Sequence, residues 1–480
     1  MNSTQESKVR IAIAGASGFV GRALRKRLSQ RFQIVALTRR PSAQLNGSHD
    51  EDGVEWRQCD LFDPDSIRDA IEDVEIVVYL VHSMSPQSRL TQARFDDLDL
   101  LLADNMRRAM DACKTKHIVF LGGLGADQKD LKLSRHLDSR REVGVVLGSG
   151  NARLTELRAG LVIGTGGSSF RMLVRLIRRL PVMVLPRWTS TPTQPVAIQD
   201  IERAFDTVVT DPANWEGEFD LGIAEEMTYG RMILRAAKAM GRRPLTFGVP
   251  ISSPRVSTLW IMLFSGEPGS LVIPLIGSLK TPTIARDNRI LEHLDRNSFV
   301  GFDESVSASF RDGSEKDDPR RVTRRTDKKV IHDRSLVRSI QRMRMPVTWT
   351  PADAVRDYWN WLRRVVRPLL KITLDLDDDK VVQRVAIHLR GGLSMLELER
   401  HKESCDPDTE VLRIVKGMLV RKNSPPDSRL EFRVVRECGV LLTAIQEYAP
   451  SLPWPIYIVS QAWLHLVVMF GFRRWVRRKI

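Results

Sequence analysis

The chain has 480 residues and a formal net charge of +15, with 74 Lys and Arg against 59 Asp and Glu. That length supports two or three domains with cores of their own, and the basic balance asks for an anionic partner, either nucleotide phosphates or an anionic membrane surface. Nucleic acid is not expected, because no RNP, KH, zinc-finger or helix-turn-helix signature surrounds the basic residues, and no metal is expected, because the four cysteines (Cys59, Cys113, Cys405, Cys438) lack metal or redox spacing.

Residues 1–7 are a polar tail with nothing resembling a cleavable signal peptide, so a reducing, cytoplasmic setting without disulfides is expected. The informative stretch follows, KVRIAIAGASGFVGRALRKRLSQRFQIVALTRR, from Lys8 to Arg40. Val9 to Ala14 reads as a buried parallel strand, Arg22 to Gln30 as a helix, and Ile34 to Thr38 as a second strand. Between strand and helix lies the turn Gly15-Ala16-Ser17-Gly18-Phe19-Val20-Gly21. Gly15 permits the sharp turn, Gly18 lets backbone N–H groups approach a pyrophosphate, and Gly21 lets the helix pack close on the strand. The helix start offers unpaired N–H donors and a positive dipole end to that phosphate. Strand, glycine turn, helix, strand is the context that turns a bare glycine triplet into a dinucleotide-binding signal.

The residues after the second strand choose the cofactor. An NAD site usually carries an Asp or Glu about 20 residues past the glycines, to bind the ribose 2′-hydroxyl. Here that place holds Thr38-Arg39-Arg40 without an acid. A carboxylate repels a 2′-phosphate, whereas a guanidinium holds it bidentately. NADP(H) is therefore favoured over NAD(H); the alternative is a pair of solvated arginines beside an NAD site.

Beyond a Ser/Gly/Asp-rich stretch, Val54 to Cys59 reads as a short strand, and Asp63-Pro64-Asp65 as a helix start. Glu75 to Val81 is another buried strand, Asp97 to Lys114 carries the helical period, and His117 to Leu121 is the next strand. Such alternation predicts an α/β fold with a doubly wound parallel Rossmann sheet.

The segments GASGFVG, CDLFDP, YLVHSM, FLGGLGA and TELRAGLVIGTGGSSF, in this order, resemble the atypical short-chain dehydrogenase/reductases. The resemblance is to the NmrA-like and YbjT-type branch, related to the nucleotide-binding accessory subunit of respiratory complex I. It implies that Asp60 and Leu61 contact the adenine and that Leu80, Val81 and His82 lie along the cofactor. Arg158 to Gly160 would begin the segment leading toward the nicotinamide. The family's Tyr-x-x-x-Lys pair and Ser are missing: none of the five tyrosines has a Lys four residues on. The corresponding segment reads His136-Leu-Asp-Ser-Arg140, and the serine place falls on Gly122 or Gly123. Arg140 can hold a ribose or phosphate but cannot relay a proton at neutral pH. His136 is the candidate replacement acid or base, against the plainer reading of a histidine near a helix N-cap.

Residues up to 310 supply a small variable lobe. Phe170 to Leu180 reads as a helix whose Arg171, Arg175, Arg178 and Arg179 are expected on a solvated face. Ser257 to Leu279 is apolar but broken by Gly266-Glu267-Pro268-Gly269, which suits a hydrophobic flap better than a membrane span. Residues 311–330 form a charged linker.

From 331 to 480 the pattern becomes α+β. Ser335 to Arg344 reads as a strand, Thr350-Pro351 opens a helix, and five strand-like runs joined by short turns follow, from Lys380 to Tyr448. A long apolar-basic helix comes last. This order is similar to START-like and polyketide-cyclase-like helix-grip domains, which implies an apolar cavity and a small apolar ligand. The final helix is expected to grip the sheet, with its basic end making peripheral contact with an anionic membrane; an interfacial helix and a true span are the other readings. The sequence names no protein partner. Two function classes stand: an NADP(H)-binding redox sensor or assembly factor, and an NADPH-dependent oxidoreductase acting on an apolar, quinone- or isoprenoid-like substrate.

Overall fold

The computed structural model describes residues 8–40, 53–83, 91–113, 115–126, 133–249, 254–267, 269–287, 289–311 and 336–480. The chain divides into two units, Met1–Ser85 with Leu102–Asp318, and Pro86–Leu101 with Pro319–Ile480.

The first unit is built on a seven-stranded sheet of β1 (Arg10–Ala14), β2 (Gln33–Thr38), β3 (Glu55–Gln58), β4 (Ile76–Tyr79), β5 (His117–Gly123), β6 (Arg153–Ala159) and β7 (Gly217–Leu221). Its order is β7-β6-β5-β4-β1-β2-β3, and every neighbouring pair is parallel. The chain winds outward from β1 to β3, then returns to lay β4 on the other side of β1. That reversal opens a crevice at the carboxyl ends of β1 and β4, where open α/β sheets bind ligands.

The sequence explains the layering. Ile11, Ala12, Ile13 and Ala14 are all fully buried, as a strand covered on both faces must be. The flanking helices are α1 (Phe19–Leu28), α2 (Pro64–Ile71), α3 (Phe95–Ala112), α4 (Arg135–Leu147) and α6 (Ile198–Thr210), while α5 (Ser168–Arg179) belongs to a smaller lobe. Ile11 and Ile13 pack with Leu24 and Leu28 of α1 and with Ile201, Phe205 and Val208 of α6. Asp63 caps α2 by accepting from the Asp65 amide at 3.1 Å, with Pro64 in the first turn.

A smaller lobe adds α7 (Tyr229–Ala239), α8 (Pro254–Ser265) and α9 (Gly269–Ser278). Phe170, Leu173 and Ile177 of α5 join Met232, Ile261 and Val272 in its core. Here the structure corrects the expected solvated face of α5 at Arg171 and Arg175, while Arg178 and Arg179 are exposed as expected. Arg171 and Arg175 reach the buried Glu267 carboxylate at 2.9 and 2.8 Å, and Arg179 donates to the Phe264 carbonyl at 2.8 Å. The turn between α8 and α9 buries a carboxylate, and a buried charge needs cations beside it.

The second unit holds β8 (Val337–Arg344), β9 (Leu370–Leu376), β10 (Val382–Leu389), β11 (Ser394–Arg400), β12 (Thr409–Lys416), β13 (Arg429–Val435) and β14 (Val440–Tyr448). They form an antiparallel sheet in the order β9-β10-β11-β12-β13-β14-β8. A short strand from far upstream, Thr91–Gln92, then adds in parallel to β8. Helix α10 (Pro351–Val366) starts in a capping box between Thr350 and Asp353. Its Tyr358 and Trp359 pack with Phe432 of β13 and Phe472 of α11 (Trp463–Val476). A short helix, Trp454–Tyr457, and a π turn, Ile458–Ala462, lead into α11. Among the described residues no helix is long and apolar enough to cross a membrane.

A Cβ placed on Gly21 would overlap the Gly15 carbonyl oxygen and stand 2.8 Å from Ala16 Cα, both backbone atoms that cannot swing away. Gly21→Ala is therefore expected to lower stability by about 1–3 kcal/mol, although alanine is the better helix former. Gly301, with open space around it, should accept alanine within about 0.5 kcal/mol. Denaturant titrations of both variants check this; an unchanged midpoint for Gly21→Ala would refute the close approach.

Candidate functional site

The site grows from the turn between β1 and α1. Gly15 has φ +93, a conformation that side chains rarely adopt, and a Cβ there would press on Leu80 at 3.2 Å. The Gly18 amide donates to the Gly15 carbonyl at 2.9 Å, closing the turn. Gly18 is also the N-cap of α1 and brings no side-chain cap to the first turn. The backbone of Ala16, Ser17 and Gly18 thus lines a cradle at a helix start, the arrangement that receives a phosphate. Phe19 lies on a second glycine turn, where a Cβ on Gly164 would meet its ring at 2.6 Å, and Val20 packs toward the core of the sheet. Arg22 donates to the Ser17 carbonyl at 3.2 Å, which stiffens the cradle.

The remaining expected residues fall around the same sheet end. At the end of β2, Thr38 Oγ1 accepts from the Arg40 amide at 3.3 Å, and Arg39 and Arg40 are exposed. Asp60 closes its own turn, accepting from the Phe62 amide at 3.1 Å, and the Leu61 carbonyl accepts from buried Asn105 at 2.9 Å. Leu80 continues β4, its amide donating to the Ala14 carbonyl at 2.9 Å. Val81 and His82 follow.

Arg140 and His136 take different parts. The Arg140 guanidinium is buried over the Phe120 ring at 4.4 Å, donates to the Val81 carbonyl at 3.0 Å and donates to the Leu121 carbonyl. It ties together the chain leaving β4 and the end of β5. His136 lies in the first turn of α4, and its ring stacks on His82 with centroids 5.1 Å apart. His136 Nδ1 is 3.1 Å from Ser278 Oγ at the end of α9. Ser278 donates to the Pro274 carbonyl at 3.2 Å, and Ser134, which accepts from the Leu137 amide, lies 2.7 Å from Ser278 Oγ. Ser278 Oγ thus links Ser134, His136 and the Pro274 carbonyl at the end of α9.

Sequence reasoning missed Ser134 and Ser278, because the latter is 142 residues from His136 and carries no local pattern. It also missed Glu156, a carboxylic acid in the buried strand β6. Its carboxyl sits between Gly122 and Gly144, where added Cβ atoms would stand 2.8 Å from its Cδ and 2.5 Å from its Oε2. Burial, and then repulsion from Glu218, push its pKa up to about 7, against the opposing pull of Arg158 and Arg140. Among the described residues no cluster could hold a metal ion.

Residues 15–149 match the family described as NAD(P)H-binding. Auxiliary protein GraX of Staphylococcus aureus is 25% identical over 125 residues, which are 26% of this chain and 40% of that protein. The match therefore spans well under half the length of that relative. The first unit's fold is similar to an NADPH-dependent quinone oxidoreductase of Escherichia coli, with 21% identity, a TM-score of 0.48, and coverage of 62% of this chain and 99% of that one. It is similar also to a triphenylmethane reductase of Citrobacter sp. complexed with NADP(H), with 17% identity, a TM-score of 0.48, and coverage of 62% and 99%.

Glu156 makes a pH-dependent contribution whose sign follows from its shift. In the unfolded chain it ionises near the ordinary value for a glutamate, 4.5, in the folded chain at about 7. Its contribution to stability is full below the lower value and falls as pH rises through that window, by up to about 3 kcal/mol. Glu156→Gln keeps the shape and cannot ionise. The stability of the variant relative to the natural protein should therefore grow between about pH 4.5 and 7.5, then level off. Denaturant midpoints measured across this range check it, and parallel curves would show that Glu156 is not titrating there.

Proposed function

We propose that the first unit binds NADP(H) in preference to NAD(H), and that the chain acts as an NADP(H)-binding redox sensor or assembly factor rather than as a standard carbonyl reductase. The observation that carries this reading is the glycine cradle at the start of α1 with Arg39 and Arg40 exposed at the end of the neighbouring strand. Gly15 to Gly21 would hold the pyrophosphate, Thr38 to Arg40 the 2′-phosphate, Asp60 and Leu61 the adenine, and Leu80 to His82 the length of the cofactor. The family model for NAD(P)H binding supports the coarser part of the reading. The reading includes kinship with NmrA-like proteins and the complex I accessory subunit. It also takes the second unit as a START-like domain, supported by the order helix, antiparallel sheet, long final helix.

A bound nicotinamide supplies or accepts a hydride; what this chain can add is proton handling. Without a Tyr-x-x-x-Lys pair, and with Arg140 spent on the Val81 and Leu121 carbonyls, ordinary alkoxide protonation lacks its groups. The stack of His136 on His82, with Nδ1 3.1 Å from Ser278 Oγ, favours a second reading, an oxidoreductase acting on an apolar, quinone-like acceptor. There Arg140 is a positioning residue, and the His136 imidazole holds or gives the proton.

Titration calorimetry should show NADPH binding more tightly than NADH. Replacing Arg39 and Arg40 together by alanine should cost about 1.5–3 kcal/mol for NADPH and little for NADH. Equal affinities would overturn the preference.

Simple aldehydes and ketones should give little NADPH consumption. If a quinone is reduced, His136→Asn should slow it by roughly a hundredfold or more. Undiminished turnover in that variant would dismiss His136 as the acid.

A further inference from the structure

The last helical segment buries one face and leaves the other apolar. Tyr457, Ala462, Met469, Phe472 and Val476 belong to the core of the second unit. On the opposite side Val459, Trp463 and Phe470 are 75%, 63% and 66% exposed, and Ile456 and Val467 are exposed with them. From Trp463 onward the steps of three and four residues keep this side on one stripe. The same stripe then passes through Arg474, Arg477 and Arg478, all exposed. Lys479 is tied to Asp357 at 2.6 Å, and residues 454–480 contain no Asp or Glu to neutralise the arginines.

We propose that this face is a docking surface for an anionic phospholipid bilayer, on which the helix lies in the plane of the interface. Charge complementarity and continuity argue for that occupant. One stripe offers an apolar surface for the acyl boundary, with a tryptophan at interfacial depth, and then a row of guanidiniums for lipid phosphates. A second copy of the chain fits less well. Parallel pairing would set the two arginine rows against each other, and antiparallel pairing would lay guanidiniums on Trp463 and Val459 without a counter-charge. Spanning is excluded by the buried face, which would have to leave its core. The apolar length from Ile456 to Phe470 is also only about 22 Å, against roughly 30 Å of hydrocarbon.

The test is co-sedimentation of the full chain with vesicles of phosphatidylcholine containing one quarter phosphatidylglycerol, beside pure phosphatidylcholine vesicles, at low and high salt. The expected result is binding to the anionic vesicles that weakens in high salt. Reversing Arg474, Arg477 and Arg478 to Glu should lower partitioning by roughly a hundredfold or more, and Trp463→Glu with Phe470→Glu should abolish it. Circular dichroism and thermal melts of each variant check that it folds. Should a variant not fold, quenching of the natural protein's tryptophan emission by brominated anionic lipid decides instead, and absence of quenching counts against the proposal. It is overturned by failure to sediment with anionic vesicles or by equal binding of the charge-reversed chain. A concentration-dependent dimer that Trp463→Glu with Phe470→Glu dissolves would also overturn it, by assigning the face to a second copy.

Discussion

The first unit depends on how near two pieces of backbone can come at the turn between β1 and α1. A helix that starts over the end of a strand must bring its first turn against the strand's last carbonyl. At Gly21 there is room for a hydrogen and for nothing larger. That contact sets the angle at which α1 leaves the sheet. The angle in turn aims the unpaired amides of its first turn at the crevice beside β4. The same economy recurs where Phe19 lies on the turn at Gly164, and where Gly122 and Gly144 make way for Glu156. Small residues here act as spacing elements, and each marks a place where something larger must pass.

Those spacings were legible in the sequence because they are local. Strand, turn, helix and second strand lie within about thirty residues, and the apolar runs carry their own period. Most strands of the second unit were legible for the same reason, each run being bounded by turn residues that stop it. Leu370–Leu376, which follows α10 with no glycine or proline just before it apart from Pro368, was missed. The partners of charged groups were not. Arg140 reaches Val81, 59 positions away, and Arg175 reaches Glu267, 92 positions away, and neither pairing leaves a trace in the residues beside it. The two-residue strand Thr91–Gln92 is too short to show a period at all.

This distinction changes how the basic composition should be understood. A net charge of +15 suggests an open field of cations looking for an anion. Much of the arginine is instead structural. Arg25 donates to the Ala16 carbonyl, Arg158 pairs with Asp220 at 2.6 Å inside the sheet, and Arg171 and Arg175 hold Glu267. The planar, always charged guanidinium suits such buried work, because it satisfies several acceptors at once and stays ionised. Arg39 and Arg40 at the end of β2 and Arg474, Arg477 and Arg478 on the last helix are among the described arginines that stay exposed.

The strand Thr91–Gln92 has a consequence for how the chain is made. It lies between β4 and α3 in sequence, yet it completes the edge of a sheet whose other strands begin at Val337. Neither unit is therefore a continuous stretch of chain. During synthesis, which delivers the N-terminus first, the parallel sheet can assemble once β7 has emerged. Its β4-to-α3 connection must wait, its strand unpaired, until some 250 further residues have followed. Closing so long a loop adds little free energy per doubling of its length but delays the pairing. The order of maturation is thus written into the connectivity: the parallel sheet first, and the edge strand of the antiparallel sheet among the last pairings to form.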